Sequence, residues 1–107
     1  MHLYTYDSAP NPRRLGYFLA FKNIELPTTQ IDMRENHHRG EDFLRINPLG
    51  TLPALQTPEG VLLTEVVGIC DYIEAKYPQR PLMGSDALQR ALVLSWDHSI
   101  FTSVFEA

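Results

Sequence analysis

The stretch Asn47-Pro48-Leu49-Gly50-Thr51-Leu52-Pro53-Ala54-Leu55 decides how the rest of the chain is read. It sets two prolines and a glycine between an amphipathic segment ending at Ile46 and the apolar run Pro53-Ala54-Leu55. Proline has no N–H to give to a ladder, so it is tolerated at the first residue of a strand or on an edge. Two readings follow from these residues alone. In one, Leu52-Pro53 is an ordinary turn entering a strand. In the other it is a cis peptide, a form taken by about 5–6 % of X–Pro bonds in folded proteins and kept where its geometry is used. One use is to turn the backbone groups of Leu52 outward, toward an extended, peptide-like ligand.

On the N-terminal side of this loop, a short helix is expected over Glu41 to Ile46, presenting Phe43, Leu44 and Ile46. Before it, the polar segment Arg34 to Gly40 holds His37, His38 and Arg39, three candidate ligand contacts. Leu26 to Met33 reads as a strand of mixed branched and apolar residues. Upstream, Asn11 reads as a helix N-cap with Pro12 as the first helical residue. That helix carries Leu15, Tyr17, Phe18, Leu19 and Phe21 as a wide apolar stripe and runs to about Asn23. Leu3 to Tyr6 is a short β-prone run ahead of it.

On the C-terminal side, Ala54 to Thr57 and Val61 to Leu63 form a hairpin around Pro58-Glu59-Gly60. Thr64 can cap a helix from Glu65 to about Lys76, whose Val66, Ile69, Cys70, Ile73 and Tyr77 share one face. Gly68 within it suggests close packing, because glycine costs about 1 kcal/mol against alanine in a helix interior. Pro78 to Gly84 reads as a linker, and Ser85 or Asp86 starts a last helix. The order is β-α-β-α-β-β-α, a linker and one further helix.

That last helix, Ala87 to Phe105, is apolar on most sides, with Leu88, Leu92, Trp96, Ile100, Phe101 and Val104 among its residues. Such a helix is normally covered on most sides. Its cover is expected from chain beyond Ala107 rather than from a partner subunit, and the 107 residues alone are expected to be inactive or to self-associate.

Composition narrows the function classes. A net charge of -4 without a basic patch points away from nucleic acid. No apolar run reaches the roughly 20 residues of a membrane span. The single cysteine, Cys70, cannot close an internal disulfide, and no Cys/His spacing suggests zinc, so a reducing cytoplasmic setting without a metal is expected.

Taken together, these segments resemble the glutathione transferase family. The resemblance is carried by Ser8-Ala9-Pro10-Asn11-Pro12-Arg13-Arg14, by the block from Glu41 to Leu55, and by Leu63-Thr64-Glu65 with Gly68-Ile69-Cys70-Asp71-Tyr72-Ile73 and Lys76-Tyr77-Pro78. It implies an α/β, thioredoxin-like β-α-β-α-β-β-α domain with a mixed four-stranded sheet over residues 1–83. Residues 84–107 would then open an all-α domain. Leu52-Pro53 would be cis, with the Leu52 backbone pairing with the cysteinyl unit of glutathione and Thr51 and Pro53 beside it. The thiolate donor is expected at Ser8, with Asn11 as a second donor and Tyr6 as a weaker alternative. Glu65 would pair with the γ-glutamyl ammonium, and the N–H groups at the head of the next helix would hold the carboxylate. Here the sequence departs from the family, because Val66 stands where the family has a serine. His38 would meet the glycyl carboxylate, with Arg39 and His37 as alternates.

The implied activity is conjugation of glutathione to a small electrophile, or reduction with glutathione as reductant, in a homodimer. Thiol exchange through a protein cysteine is not expected, since Ser8-Ala9-Pro10-Asn11 contains none. The alternative is a non-catalytic binding or scaffold module, which Val66 favours.

Overall fold

The computed structural model describes residues 1–104, with side chains described for residues 1–99. Strand β1 (His2–Thr5) lies inside a mixed four-stranded sheet of order β2-β1-β3-β4. It pairs in parallel with β2 (Thr28–Gln30) and antiparallel with β3 (Ala54–Gln56), which pairs antiparallel with β4 (Leu62–Leu63). The register aligns Leu3 with Leu55, and Leu55 with Leu63. These leucines point to one face, where they meet Leu15 and Leu19 of α1 (Pro10–Lys22) and Val66, Ile69, Cys70 and Ile73 of α3 (Val66–Lys76). Neighbouring strand residues point the other way. Tyr4 accordingly stacks against Phe43 of α2 (Glu41–Ile46), with ring centroids 6.0 Å apart. Leu52-Pro53 is cis, and the expected element order is found.

Several boundaries differ from the sequence reading. Helix α1 begins at Pro10 with Ala9 as its N-cap, so Asn11 lies inside the first turn and does not cap it. Both Pro10 and Pro12 fall where backbone N–H groups have no intrahelical partner, which is why two prolines are accommodated. Strand β2 stops at Gln30, well short of Met33. The Asp32 carboxylate accepts from the N–H groups of Arg34 and Glu35 and turns the chain away. Helix α3 begins at Val66 with Glu65 as N-cap, so Thr64 is not the cap. Tyr77 leaves the apolar face because the helix ends at Lys76. Gly68 does not mark close packing, since a Cβ built there would meet no atom within 4 Å. Tyr17, Phe21 and Trp96 are exposed rather than packed.

The 77–84 segment is held by the body of the fold, with Met83 buried in the core. It leads into α4 (Ala87–Val104), where the Asp86 carboxylate accepts from the Gln89 N–H and the Gln89 side-chain Oε1 accepts from the Ser85 N–H and hydroxyl. Ion pairs Arg90–Asp71 and Arg14–Asp97 join α4 to α3 and α1. Leu88 and Leu92 are exposed with Trp96, whereas Val93 and Leu94 lie against the core. The expected continuation through Phe105, and the side chains of Ile100, Phe101 and Val104, lie outside the described residues. Among the described residues, no helix is long and apolar enough to cross a membrane.

Candidate functional site

The first turns of α1 and α3 open onto one cleft of about 240 Å³, walled on its third side by α4. Its lining is Asn11 and Arg14 from α1, Glu65, Val66 and Val67 from α3, and Asp97 and His98 from α4. Asn11 is the second residue of its helix, and Val66 and Val67 are the first two of theirs. Two helix N-termini, each with a partial positive charge, therefore face one space; α3 brings the free N–H groups of Val66 and Val67, while α1, with prolines at 10 and 12, brings that of Asn11, an arrangement that favours an anion. Arg14 is paired with Asp97, so part of the added cationic charge is neutralised within the wall. Glu65 is exposed and carries the one other carboxylate of the lining, which suits a ligand bearing both an anion and an ammonium.

The Pro53 loop is set by Asn47, which is 1 % exposed. Its amide Nδ2 donates to the Thr51 carbonyl at 2.9 Å and to Thr51 Oγ1 at 3.2 Å, while its Oδ1 accepts from the Leu49 N–H at 3.1 Å. Gly50 takes a φ of 65°, a left-handed conformation suited to glycine, and a Cβ there would come 3.0 Å from the His38 carbonyl. The 3₁₀ turn His37–Arg39 is thus laid directly over the loop. His38 Nδ1 is buried without a partner, whereas His37 and Arg39 are exposed. Thr51 is exposed, Leu52 is half-buried and Pro53 is fully buried.

Asn11, Glu65 and Val66 are brought together, and His38 and Arg39 are brought to the Pro53 loop. Ser8 lies in the exposed turn one residue before the cap of α1 and does not line the cleft. Tyr6 is half-buried, and its carbonyl accepts from the Ala9 N–H to shape the same turn. The Val66 side chain belongs to the hydrophobic core, so this residue offers the cleft its backbone. Cys70 is a core residue whose thiol burial pushes up to about 12, far from a reactive thiolate. Among the described residues, no cluster of His, Cys, Asp or Glu is arranged to hold a metal ion.

Sequence reasoning missed Arg14, Asp97, His98 and Asn47 as members or supports of the site. Arg14 carries a usable signal, since it falls three positions after Asn11 on the same helical face. Asn47 also does, as a side chain able to bond its own backbone next to Pro48. Asp97 and His98 carry none, because only tertiary packing brings α4 to the cleft.

Residues 9–76 match the family described as Glutathione S-transferase, N-terminal domain. The chain is 38 % identical over 93 residues to maleylacetoacetate isomerase of Pseudomonas aeruginosa, covering 85 % of this chain and 44 % of that protein. It is 30 % identical over 92 residues to glutathione S-transferase Z2 of Arabidopsis thaliana, covering 86 % of this chain and 41 % of the relative. Human glutathione transferase theta-2, solved in complex with glutathione and an unknown ligand, superimposes with a TM-score of 0.83 at 30 % identity, covering 92 % of this chain and 41 % of that one. The chain thus spans less than half the length of the curated relatives it matches. With the family match extending over more than half of its residues, this chain belongs to the glutathione S-transferase family.

Proposed function

We propose that this chain binds glutathione and forms the glutathione-binding part of an enzyme that uses its thiolate against a small electrophile. The observation that carries this reading is the convergence of two helix N-termini with Asn11, Glu65 and Val66 on one cleft. In this reading the γ-glutamyl carboxylate is held by the N–H groups of Val66 and Val67, and its ammonium by Glu65. The cysteinyl unit pairs with the Leu52 backbone, with Thr51 and Pro53 beside it. The glycyl carboxylate is met by His38 and Arg39, which lie against the Pro53 loop at Gly50.

A free thiol titrates near pH 8.5, and the nucleophile is the thiolate. The positive end of α1 favours the anion, and a hydroxyl from Ser8 or an amide N–H from Asn11 adds a donor to the sulfur. The thiolate then attacks an electrophilic carbon, with the displaced electron pair leaving on the departing group or moving onto a conjugated carbonyl. The isomerase relative favours one further outcome of the same addition. Thiolate addition to a conjugated double bond leaves a single bond free to rotate, and expulsion of the thiolate returns glutathione unchanged. A homodimer in the cytoplasm is the setting proposed with this activity.

The test is calorimetry with glutathione on the protein in its full length, followed by assays of conjugation and of cis–trans isomerisation. Saturable heat is expected in the millimolar range or below. No heat at millimolar glutathione would refute the enzyme reading and favour the non-catalytic scaffold. With binding in hand, Ser8→Ala is expected to raise the apparent pKa of the bound thiol, read by thiolate absorbance. An unchanged titration would assign the donor role to Asn11 or to the helix end alone.

A further inference from the structure

One ion pair, fully buried at its lysine and mostly covered at its glutamate, lies outside the cleft. Lys22, in the last turn of α1, has a side chain with 0 % exposure, and its Nζ sits 3.2 Å from Glu74 Oε1, on a carboxylate that is 12 % exposed. The ammonium also donates to the Gln79 carbonyl at 2.9 Å and the Arg80 carbonyl at 3.4 Å, so three acceptors meet its three donors. Glu74 reaches the same segment with opposite polarity. Its Oε1 accepts from the Leu82 N–H at 2.7 Å and its Oε2 from the Met83 N–H. Two side chains therefore hold two carbonyls and two N–H groups of residues 79–83, and the residue between those sets is Pro81, which has no N–H to hold. Arg80 reverses the backbone with a φ of 54° and lays its guanidinium over Phe21, 5.1 Å from the ring centroid.

Burying a charge pair gains little stability over packing an apolar pair of similar size. What such a pair supplies here is direction, since the ammonium donates only to carbonyls and the carboxylate accepts only from N–H groups. The segment it directs joins α3 to α4. Gly84, at a φ of 93°, already lies so near α4 that a Cβ would come 2.6 Å from the Arg90 nitrogen, so displacement of residues 82 and 83 displaces the first turn of α4. Helix α4 in turn carries Asp97 and His98 into the wall of the cleft.

We propose that Lys22 and Glu74 are positioning residues: a buried clasp that fixes the 77–84 segment and so sets how α4 closes the ligand cleft. Only the ligand arm of its test rests on the glutathione reading. The test is hydrogen exchange, residue by residue, on wild type, Lys22→Met and Glu74→Gln, with Arg90→Met as an exposed ion-pair control. Both clasp variants should speed exchange at Leu82, Met83 and the first turn of α4 by about tenfold or more, while Ile69 and Ile73 in α3 keep their rates. Arg90→Met should leave Leu82 and Met83 unchanged. Glutathione affinity should fall several-fold in the clasp variants at a temperature where all are folded. Glu74→Gln keeps the shape of the side chain and serves if Lys22→Met does not fold. Equal acceleration at every amide would reduce the pair to general stability and overturn the proposal. So would a loosened linker with α4 rates unchanged. A wild type that takes up no glutathione would defeat the glutathione reading alone, leaving the exchange data to decide the clasp.

Discussion

Replacing Asn47 by alanine tests whether one buried amide holds the Pro53 loop in place. The substitution removes three hydrogen bonds, two to Thr51 and one from the Leu49 N–H. A net hydrogen bond is worth about 0.5–1.5 kcal/mol, and a buried group left without a partner costs about 1–3 kcal/mol. Thr51 and Leu49 are themselves exposed, so water can replace part of what is lost. The expected loss is therefore near the lower end, about 2 kcal/mol, or roughly 8–16 °C in melting temperature for a domain of this size. Asn47→Asp separates the two ends of the side chain. It keeps an acceptor for Leu49 but sets a carboxylate against the Thr51 carbonyl at the C-terminal, negative end of α2. Burial there raises its folded pKa above the ordinary value of about 3.9, so its contribution to stability is full below that value and lost as pH rises through the raised one. Thermal unfolding by circular dichroism between pH 4 and 8 measures both. If Asn47→Ala melts within about 2 °C of wild type, or Asn47→Asp matches wild type at neutral pH, the loop does not depend on this amide.

Three further outcomes follow from single residues. Val66→Ser should leave glutathione affinity within about threefold of wild type, because the side chain at this position faces the core and only its N–H is offered to the cleft. Since Val66 is buried in the core, the same change should lower stability by about 1–2 kcal/mol, and calorimetry showing tightening by about tenfold or more would mean that the hydroxyl reaches the carboxylate after all. Gly68→Ala should raise stability by about 1 kcal/mol, since a Cβ meets nothing and the helix gains propensity; a lower denaturant midpoint would contradict this. The Cys70 thiol is raised by burial from 9.0 to about 12, so its contribution to stability is full below pH 9 and is lost as pH rises toward 12. A Cys70→Ala variant should unfold with a flatter pH profile over that range, and an identical profile would show that the thiol plays no part.

How much of the molecule was legible in the sequence depended on how local the cause was. The proline loop, the Phe43 helix, the hairpin and the apolar face Val66-Ile69-Cys70-Ile73 are written in neighbouring residues, and each is found. Residue types place the start of α1 two residues late because Asn11 is a strong capping type, yet the chain uses two prolines in the first turn with Ala9 as the cap. Apolar patterning carries strand β2 too far because Ile31 and Met33 look like strand residues, while the turn made by the Asp32 carboxylate is a polar effect that such patterning cannot see. Residue type alone places Tyr17 and Phe21 in a covered stripe, but both are exposed. Part of their side of α1 instead carries the Arg80 guanidinium.

The site divides along the same line. Residues on the Pro53 loop and at the helix starts could be named because turn chemistry and helix ends have sequence signatures. The third wall of the cleft could not, since nothing in the order of residues 87–99 says that Asp97 will meet Arg14. That meeting depends on the path of residues 77–84, which a sequence reading treats as a plain linker. In the structure this segment is held by a lysine and a glutamate from two different helices. Both charges lie at positions where charge patterning alone predicts solvated helix ends. A charged residue late in α1 and another late in α3 therefore bear on the shape of a cleft at the opposite ends of those helices. The mechanical connection between them is the segment the sequence made look least structured.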